Sequence, residues 1–349
     1  AAPLLAPACP APRADARASA GAERWRPRRR PSAGRGFVVG LCALCVASAW
    51  RRPPAAELAG GGMTGWLSDT WDLGSQLLLP RNFVYYFGAD DLPSEEGAVS
   101  VLTYNVNMGL AMNGKKDESS LAVVDAIRKS RADIVLLQEA HKGWQALLAE
   151  ELRAELPFQV FHFDASGGSA ILSRWRVRSW EAFQLREAVN GSHFDPLVGV
   201  IDVPGGEWTV ANVHLRPPLE LRGQTSMATA RTTGTVRLAE VQELLRLCEA
   251  SKLKPLLVAG DFNEQDWGDA LTWLTEERGM QNALQEHVSR WKETHRWPFG
   301  LLMLKKRLDH VVYDPRQLRC LGCGVITGYE EGASDHQPVL ARFSRVADG

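Results

Sequence analysis

Apolar and polar positions along the chain fall into two regimes, with the change at about Gly97. Beyond it, short apolar runs recur at regular intervals. Val99–Val106 and Asp133–Gln138 are dense in β-branched and aliphatic residues and predict buried strands. Between and after them, Leu121, Val124 and Ile127, and then Trp144, Leu147, Leu148 and Leu152, repeat at helical spacing. Asp117 to Ser120 supply a helix start for the first of these. Further strands are predicted at Gln159–Phe163, Ser169–Leu172, Val198–Val203 and Trp208–Leu215. A helix follows at Val236–Leu247, a strand at Pro255–Ala259 and a helical piece at Leu271–Leu274. Three last strands are predicted at Leu308–Tyr313, Leu318–Ile326 and Pro338–Phe343. Helices alternate with strands early, and strand pairs dominate late. That mixture predicts an α/β protein with mixed sheets.

Before Gly97 the pattern is different. Residues 1–62 form a leader rich in Ala, Pro and Arg, which buries too little surface to fold and is expected to be disordered. Inside it, the short apolar segment 37–49 between basic residues has the make-up of a targeting segment, a membrane anchor or a leader without function. It is shorter than the roughly 20 residues a spanning helix needs. The connecting segment 63–96 carries Trp66, Trp71, Phe83, Tyr85, Tyr86 and Phe87, expected to pack on the domain or on a membrane surface. The third region, 97–349, is the candidate catalytic domain.

Charge separates the same two regimes. Net charge over 349 residues is −1, but residues 1–62 hold ten arginines against three acidic residues, about +7. The remaining 30 basic and 38 acidic residues give the rest of the chain about −8. A general nucleic-acid binder usually shows a basic face, so a mildly acidic domain counts against tight, non-specific binding without excluding a nucleic-acid substrate. The six cysteines, including Cys42/Cys45 and Cys320/Cys323, do not supply a convincing four-ligand zinc set, and they read as thiols.

The chemistry collects at strand ends. Asn105 ends the first strand, Glu139 follows the second, and Asn212 and His214 close Trp208–Leu215. Asp261 and Asn263 follow Pro255–Ala259, Asp309 opens a late strand, and Asp335-His336 leads into the last. Carboxylates and amide oxygens are hard ligands suited to Mg²⁺ or Mn²⁺. With histidines beside them, they suit attack of water on phosphorus. Taken singly, each Asn or Asp reads equally as a turn former. No Ser-His-Asp arrangement, glycine-rich nucleotide loop or H-E-x-x-H motif is present.

In order, Thr103-Tyr104-Asn105-Val106, Leu137-Gln138-Glu139, Gly168 to Arg174, Asn212-Val213-His214-Leu215, Gly260-Asp261-Phe262-Asn263, Arg307-Leu308-Asp309-His310 and Ser334 to Pro338 resemble the endonuclease/exonuclease/phosphatase superfamily with its deoxyribonuclease-I-like fold. The resemblance implies a four-layer α/β/β/α sandwich with two mixed β-sheets. It implies a Mg²⁺ site, with Mn²⁺ as an alternative, at Asn105, Glu139 and Asp335. Asp261 would orient or activate water, Asn263 would contact the phosphate, His336 would bind it under the control of Asp309, and His214 would sit near a leaving or non-bridging oxygen. The order of motifs is most similar to uncharacterised, mostly bacterial-type members. The Pro-Ala-Trp-x-Asp-Arg stretch of inositol-polyphosphate 5-phosphatases is absent, and Leu308-Asp309-His310 stands where abasic-site endonucleases carry Leu-Asp-Tyr. Asn212 and Arg216 are further candidates for phosphate contact, with Arg222 and Arg231 in the following loop.

The expected function is therefore a divalent-metal-dependent phosphoester hydrolase, either a phosphodiesterase or a phosphatase. Its substrate would be a nucleic acid, phospholipid or small molecule, with membrane association through the leader and no protein partner implied. The alternative is a catalytically silent binding module that keeps the same fold.

Overall fold

A computed structural model describes residues 88–107, 116–164, 167–218, 227–288, 292–299, 302–326 and 333–346. The leader, its apolar segment 37–49 and the aromatic residues between Trp66 and Phe87 lie outside the described residues.

Fourteen strands form among the described residues. β1 (Val99–Asn105), β2 (Ile134–Gln138), β3 (Phe158–Asp164), β4 (Gly167–Ser173), β13 (Leu318–Val325) and β14 (Val339–Arg345) make one sheet, in the order β13-β14-β1-β2-β4-β3. β5 (Val177–Ala182), β6 (Leu197–Val203), β7 (Gly206–His214), β8 (Leu257–Asp261), β9 (Gln281–Asn282) and β12 (Asp309–Tyr313) make the second, in the order β5-β6-β7-β8-β12-β9. β10 (His295–Phe299) and β11 (Leu302–Lys306) pair with each other as a ribbon apart from both sheets, tied to the chain before β14 by a backbone bridge between His295 and His336. Each sheet is mixed, with one parallel pair inside antiparallel neighbours: β1 with β2, and β7 with β8. A parallel neighbour requires a crossover connection. The crossovers are helices, α1 (Lys116–Ser130) after β1 and α3 (Met227–Ala250) after β7. α2 (Lys142–Glu151) follows β2, and α4 (Asp269–Thr272), continued by a π-helical turn at Trp273–Glu277, follows β8. A short α5 (Ala283–His287) completes the set.

Strand alternation divides the apolar residues among three cores, which is what defines four layers. Val99 and Val101 of β1, Ile134 and Leu136 of β2, Trp208 and Val210 of β7, and Leu257 and Ala259 of β8 meet between the sheets. The intervening residues Leu102, Tyr104, Val135 and Leu137 pack outward on Val123 and Ile127 of α1 and on Trp144 and Leu148 of α2. On the opposite side, Ala211, Val213 and Val258 pack on Val241 and Leu244 of α3 and on Leu271. The four-layer sandwich expected from sequence is therefore present. One helical face differs: Leu121 is 55% exposed, and Val123, Val124, Ala126 and Ile127 form the inward stripe of α1. β5 was not anticipated, because its residues Arg178 to Glu181 are exposed and carry no apolar alternation.

The parallel pair in the second sheet is drawn close by a glycine. Gly260 has φ +151°, and a Cβ built on it would stand 1.9 Å from the Val213 carbonyl oxygen of the neighbouring strand. Gly97 also has a positive φ, +75°, but open space where a Cβ would go. Gly97→Ala is thus expected to cost about 1–3 kcal/mol through backbone strain alone. Gly260→Ala is expected to exceed it by roughly 1–3 kcal/mol more from overpacking, or to prevent folding. Urea unfolding midpoints of the two variants test this, and equal midpoints would refute the close-approach argument.

Candidate active site

Along the inner face of each central strand the apolar residues stop, and a polar one takes the last position. Val101 leads through Thr103 to Asn105, Leu136 to Gln138, Val210 through Asn212 to His214, Ala259 to Asp261, and Val311 back to Asp309. Pairing aligns these ends: Asn105 is opposite Gln138, and Asp261 stands between His214 and Asp309. Side-chain hydrogen bonds then cross between the sheets. Gln138 Nε2 donates to Asn212 Oδ1 at 2.6 Å, and Asn105 Nδ2 donates to Asp261 Oδ2 at 3.1 Å. One end of the sandwich is thereby a polar layer continuous with the apolar core beneath it.

Asp261 is the centre of that layer. Its Oδ1 accepts the Asn263 backbone N–H at 2.8 Å, and its Oδ2 accepts Asn263 Nδ2 at 3.3 Å as well as Asn105. The same Oδ2 lies 3.6 Å from His214 Nε2 and 3.6 Å from His336 Nε2. The other ring nitrogen of His336, Nδ1, is 2.8 Å from Asp309 Oδ2, and Asp309 is itself fixed through its backbone N–H by Thr294 Oγ1 at 3.0 Å. Asn105 Nδ2 also donates to Glu139 Oε1 at 3.1 Å. Asp335 joins through Asn107, whose Nδ2 donates to its Oδ1 at 2.8 Å. All eight residues assigned to catalysis or metal by resemblance thus belong to one constellation.

Glu139 reaches it by an unusual backbone. Simple alternation after Gln138 would turn Glu139 toward the helices. Its φ of +57° lies in the left-handed region, and its carboxylate stands over the inner face instead. Such a conformation costs a non-glycine residue about 1–3 kcal/mol and concentrates at functional sites. Asn107 (φ +44°) and Asn263 (φ +53°) turn the chain in the same way after their strands, at lower cost because asparagine tolerates this region.

The burial that shapes the site also sets its charges. Burial pushes Asp261 up to about 7, with Asp309 raising it further and His336, Asn263 and Asn105 opposing. Burial likewise raises Glu139, against the hydrogen bond from Asn105. His214, buried beside the cationic His336, is driven down to about 3 and stays neutral. For His336 burial favours the neutral ring, but Asp309, Asp261 and Asp335 outweigh it and push it up to about 10. Asp335 ends below the usual carboxylate range: burial raises it, and His295 and His336 more than reverse the effect. Four carboxylates therefore crowd one buried pocket around a single imidazolium, a donor set of hard oxygens that a divalent cation fits. The amide NH₂ of Asn105, held between Glu139 and Asp261, places partial positive charge where the carboxylates converge. The trios Asp261, Asp309, His336 and His295, Asp335, His336 each bring ligand atoms within 4.8 Å of one another.

Several participants left no readable sequence signal. His295, at the base of the β10–β11 ribbon, bridges by backbone to His336, packs its ring 4.5 Å from that imidazole and sets Nε2 3.6 Å from Asp335. Phe194 stacks on His214 with centroids 3.7 Å apart, from a loop without periodicity. Ser334 Oγ donates to the Asn105 carbonyl at 2.8 Å and ties the first strand to the last loop. Asn212 is fully buried, and its Nδ2 donates to Leu137 O at 2.8 Å and Ala170 O at 3.0 Å, so the side chain works as a clamp between sheets. Arg216 follows two residues after His214 in the chain and is half-buried, with its backbone N–H donating to Glu240 Oε2 at 2.8 Å. Arg222 and the side chain of Arg231 fall outside the described residues. Cys248, Cys320 and Cys323 are free thiols, as read from the sequence.

A family model described as the Endonuclease/Exonuclease/phosphatase family matches residues 102–336. Among solved structures, an endonuclease/exonuclease/phosphatase from Beutenbergia cavernae is similar, with 20% identity over 72% of each chain and a TM-score of 0.54. The human Nocturnin catalytic domain with bound sulfate anion has 15% identity over 73% of this chain and 97% of its own, at a TM-score of 0.54. D. rerio TDP2 complexed with single strand DNA product has 15% identity over 71% of this chain and 100% of its own, at 0.52. At such identities these likenesses speak for the fold. A comparison with curated proteins gave no match.

His336 is raised in the folded protein, so its contribution to stability is complete below about 6.5 and is lost as pH rises through about 10. Asp309→Asn removes the nearest carboxylate. In metal-free buffer its urea midpoint is expected below wild type at about pH 6, with the gap narrowing by about pH 10.5. A gap of constant size would show that the pair does not carry this charge.

Proposed function

Because the chain belongs to the endonuclease/exonuclease/phosphatase family, we propose that it hydrolyses a phosphoester by divalent-metal-assisted, in-line attack of water on phosphorus. The observation that carries this reading is the Asp309–His336 pair, with Asp261 3.6 Å from the far nitrogen of the same imidazole, beside the Asn105–Glu139 pair. A buried imidazolium meets a phosphate oxygen with a full charge and one directed N–H. A carboxylate next to it takes the proton of an attacking water.

In this reading Glu139, Asp335 and Asn105 hold Mg²⁺, with Mn²⁺ as an alternative. When bound, the ion offsets the negative charge that builds on the phosphate oxygens. The protein's own groups do the rest. Asp261, held by the Asn263 backbone and by two side-chain amides, orients water and accepts its proton, and a carboxyl near 7 suits a base working at neutral pH. His336 binds a non-bridging oxygen, and Asp309 keeps its ring charged and aligned. His214 stays neutral under Phe194 and offers Nε2 near a second phosphate or leaving oxygen. The new bond joins water oxygen to phosphorus, the ester bond to the leaving oxygen breaks, and no covalent enzyme intermediate forms. That similar folds carry a bound sulfate anion, in the human Nocturnin domain, and a single-strand DNA product, in D. rerio TDP2, supports a phosphoester substrate.

Turnover of an activated phosphodiester and an activated phosphomonoester is expected with Mg²⁺ or Mn²⁺ and not with EDTA. Asp261→Asn is expected to lose roughly 10²–10⁴ in kcat with little change in the metal concentration needed. Glu139→Gln is expected to raise that concentration by roughly 10–100-fold. Wild-type kcat/KM should fall on the acid side as Asp261 is protonated, and that limb should vanish in Asp261→Asn. A folded, metal-loaded protein that turns over neither ester would favour the binding module.

A further inference from the structure

The imidazoles of His336 and His214 are held in different ways. His336 has a carboxylate on each side, with Asp309 Oδ2 2.8 Å from Nδ1 and Asp261 Oδ2 3.6 Å from Nε2. His214 has no such grip. Its Nδ1 is buried without a hydrogen-bond partner among the described residues. Its Nε2 stands 3.6 Å from Asp261 and 3.8 Å from Glu139, too far for a hydrogen bond to either. Pairing of β7 with β8 fixes the backbone of His214, but the ring torsion of a histidine has broad wells that the backbone does not select. What meets the face of the ring is Phe194, with centroids 3.7 Å apart and planes 13° from parallel.

Phe194 lies in the stretch before β6 that belongs to no strand or helix, and this stretch is clasped at its next residue. Asp195 is buried, and its backbone N–H donates to Asp164 Oδ2 at 3.1 Å. Its Oδ2 lies 3.2 Å from His162 Nε2, and its Oδ1 lies 4.0 Å from Arg186 Nε. Arg186 Nη2 is also 3.6 Å from Asp164 Oδ2. The Pro196 carbonyl accepts the Phe183 N–H at 3.0 Å. His162 and Asp164 are two positions apart on β3, so they share one face of the edge strand of the first sheet. The clasp thus joins that edge to the loop entering β6 of the second sheet. The same trio of His162, Asp164 and Asp195 brings ligand atoms within 4.8 Å of one another. Arg186 already stands against both carboxylates, which makes the set a clasp rather than a cation site.

We propose that Phe194 is the positioning residue of His214, taking for that imidazole the part that Asp309 takes for His336, and that the Asp195 clasp holds Phe194 in place. The inference rests on the hydrolase reading above, because it concerns how one imidazole of that site is aimed. At 3.7 Å the two ring faces are in van der Waals contact, so turning the imidazole would drive its edge into the phenyl ring. The stack therefore keeps Nε2 on the side of Asp261 and Glu139 without a hydrogen bond to Nδ1. A group misplaced by about 1 Å loses on the order of 10² in rate. Phe194 makes no contact with Asp309 or His336, so that loss falls on the reacting step rather than on phosphate binding.

The test uses the full chain with isotope-labelled histidines and two readouts. In NMR, the imidazole C–H signals of His214, assigned by their loss in His214→Ala, are expected upfield, in the shielding region above the Phe194 ring. Phe194→Leu is expected to abolish that shift, Phe194→Tyr to keep it and Asp195→Asn to reduce it. In steady-state kinetics with Mg²⁺ on the activated phosphodiester, Phe194→Leu is expected to lower kcat roughly 10²-fold with KM within about twofold of wild type. Phe194→Tyr, which restores the flat face, is expected to recover most of kcat. In a His214→Ala background, Phe194→Leu is expected to change kcat by less than about threefold, because the two residues act as one. An equal fold loss in both backgrounds would overturn the proposal, as would a loss confined to KM or a Phe194→Tyr variant as slow as Phe194→Leu. Should Phe194→Leu not fold, an Asp195→Asn protein with the wild-type shift and the wild-type kcat would overturn it equally. The upfield shift in a folded protein that turns over neither ester would keep the stacked ring and remove the hydrolase reading.

Discussion

An ionised pair out of reach of water governs this molecule: the Asp309 carboxylate and the His336 imidazolium, 2.8 Å apart, with a second carboxylate at the far nitrogen of the ring. Charges so placed are costly unless every remaining lone pair and proton is engaged. The surrounding structure meets this requirement in part: it braces the backbone around the pair, while Asp309 Oδ1 is buried without a hydrogen-bond partner. Thr294 fixes the backbone N–H groups of Leu308 and Asp309, and Ser334 holds both the Asn105 carbonyl and the His336 N–H. Asn105 and Asn263 cover the open side of Asp261. Low dielectric makes these bonds strong, and it would make a missing one expensive.

Holding such a layer rigid falls to the apolar sandwich beneath it. The two sheets cannot slide past each other without breaking Gln138–Asn212 and Asn105–Asp261, and those bonds cannot form unless the inter-sheet core sets the spacing. Packing and polarity therefore specify the same register from opposite ends of the same strands. The parallel pairs matter here. In each sheet a helical crossover returns the chain so that two strands finish at one edge, and the two edges finish at one end of the sandwich. That doubling is invisible as a sequence repeat, since the halves share topology rather than residues.

The β10–β11 ribbon introduces a different logic. Its base is anchored to the His336 segment by a backbone bridge and by main-chain hydrogen bonds from the Arg296 N–H to Asp335 O and from the Gln337 N–H to Thr294 O.

By itself the chain determined the strands rich in β-branched and aliphatic residues, the helices that cover them, and the polar residue types at strand ends. These follow from local alternation, and the order of the motifs carried the fold. Local pattern was silent where burial was partial or absent, as at β5, and where proline interrupts a strand, as in β10. It misdirected Leu121, because helical spacing fits several faces and only the neighbouring sheet selects one. The tertiary structure alone decided that Asn105 meets Asp261 across 156 residues, that Glu139 turns back over the inner face, and that His295 and Phe194 flank the imidazoles of His336 and His214. Asn212, legible only as a polar residue near a strand end, became the clamp between sheets for the same reason. Side-chain periodicity is set by the nearest few peptide units, whereas those juxtapositions are set by sheet pairing between distant segments, which no short stretch of sequence encodes.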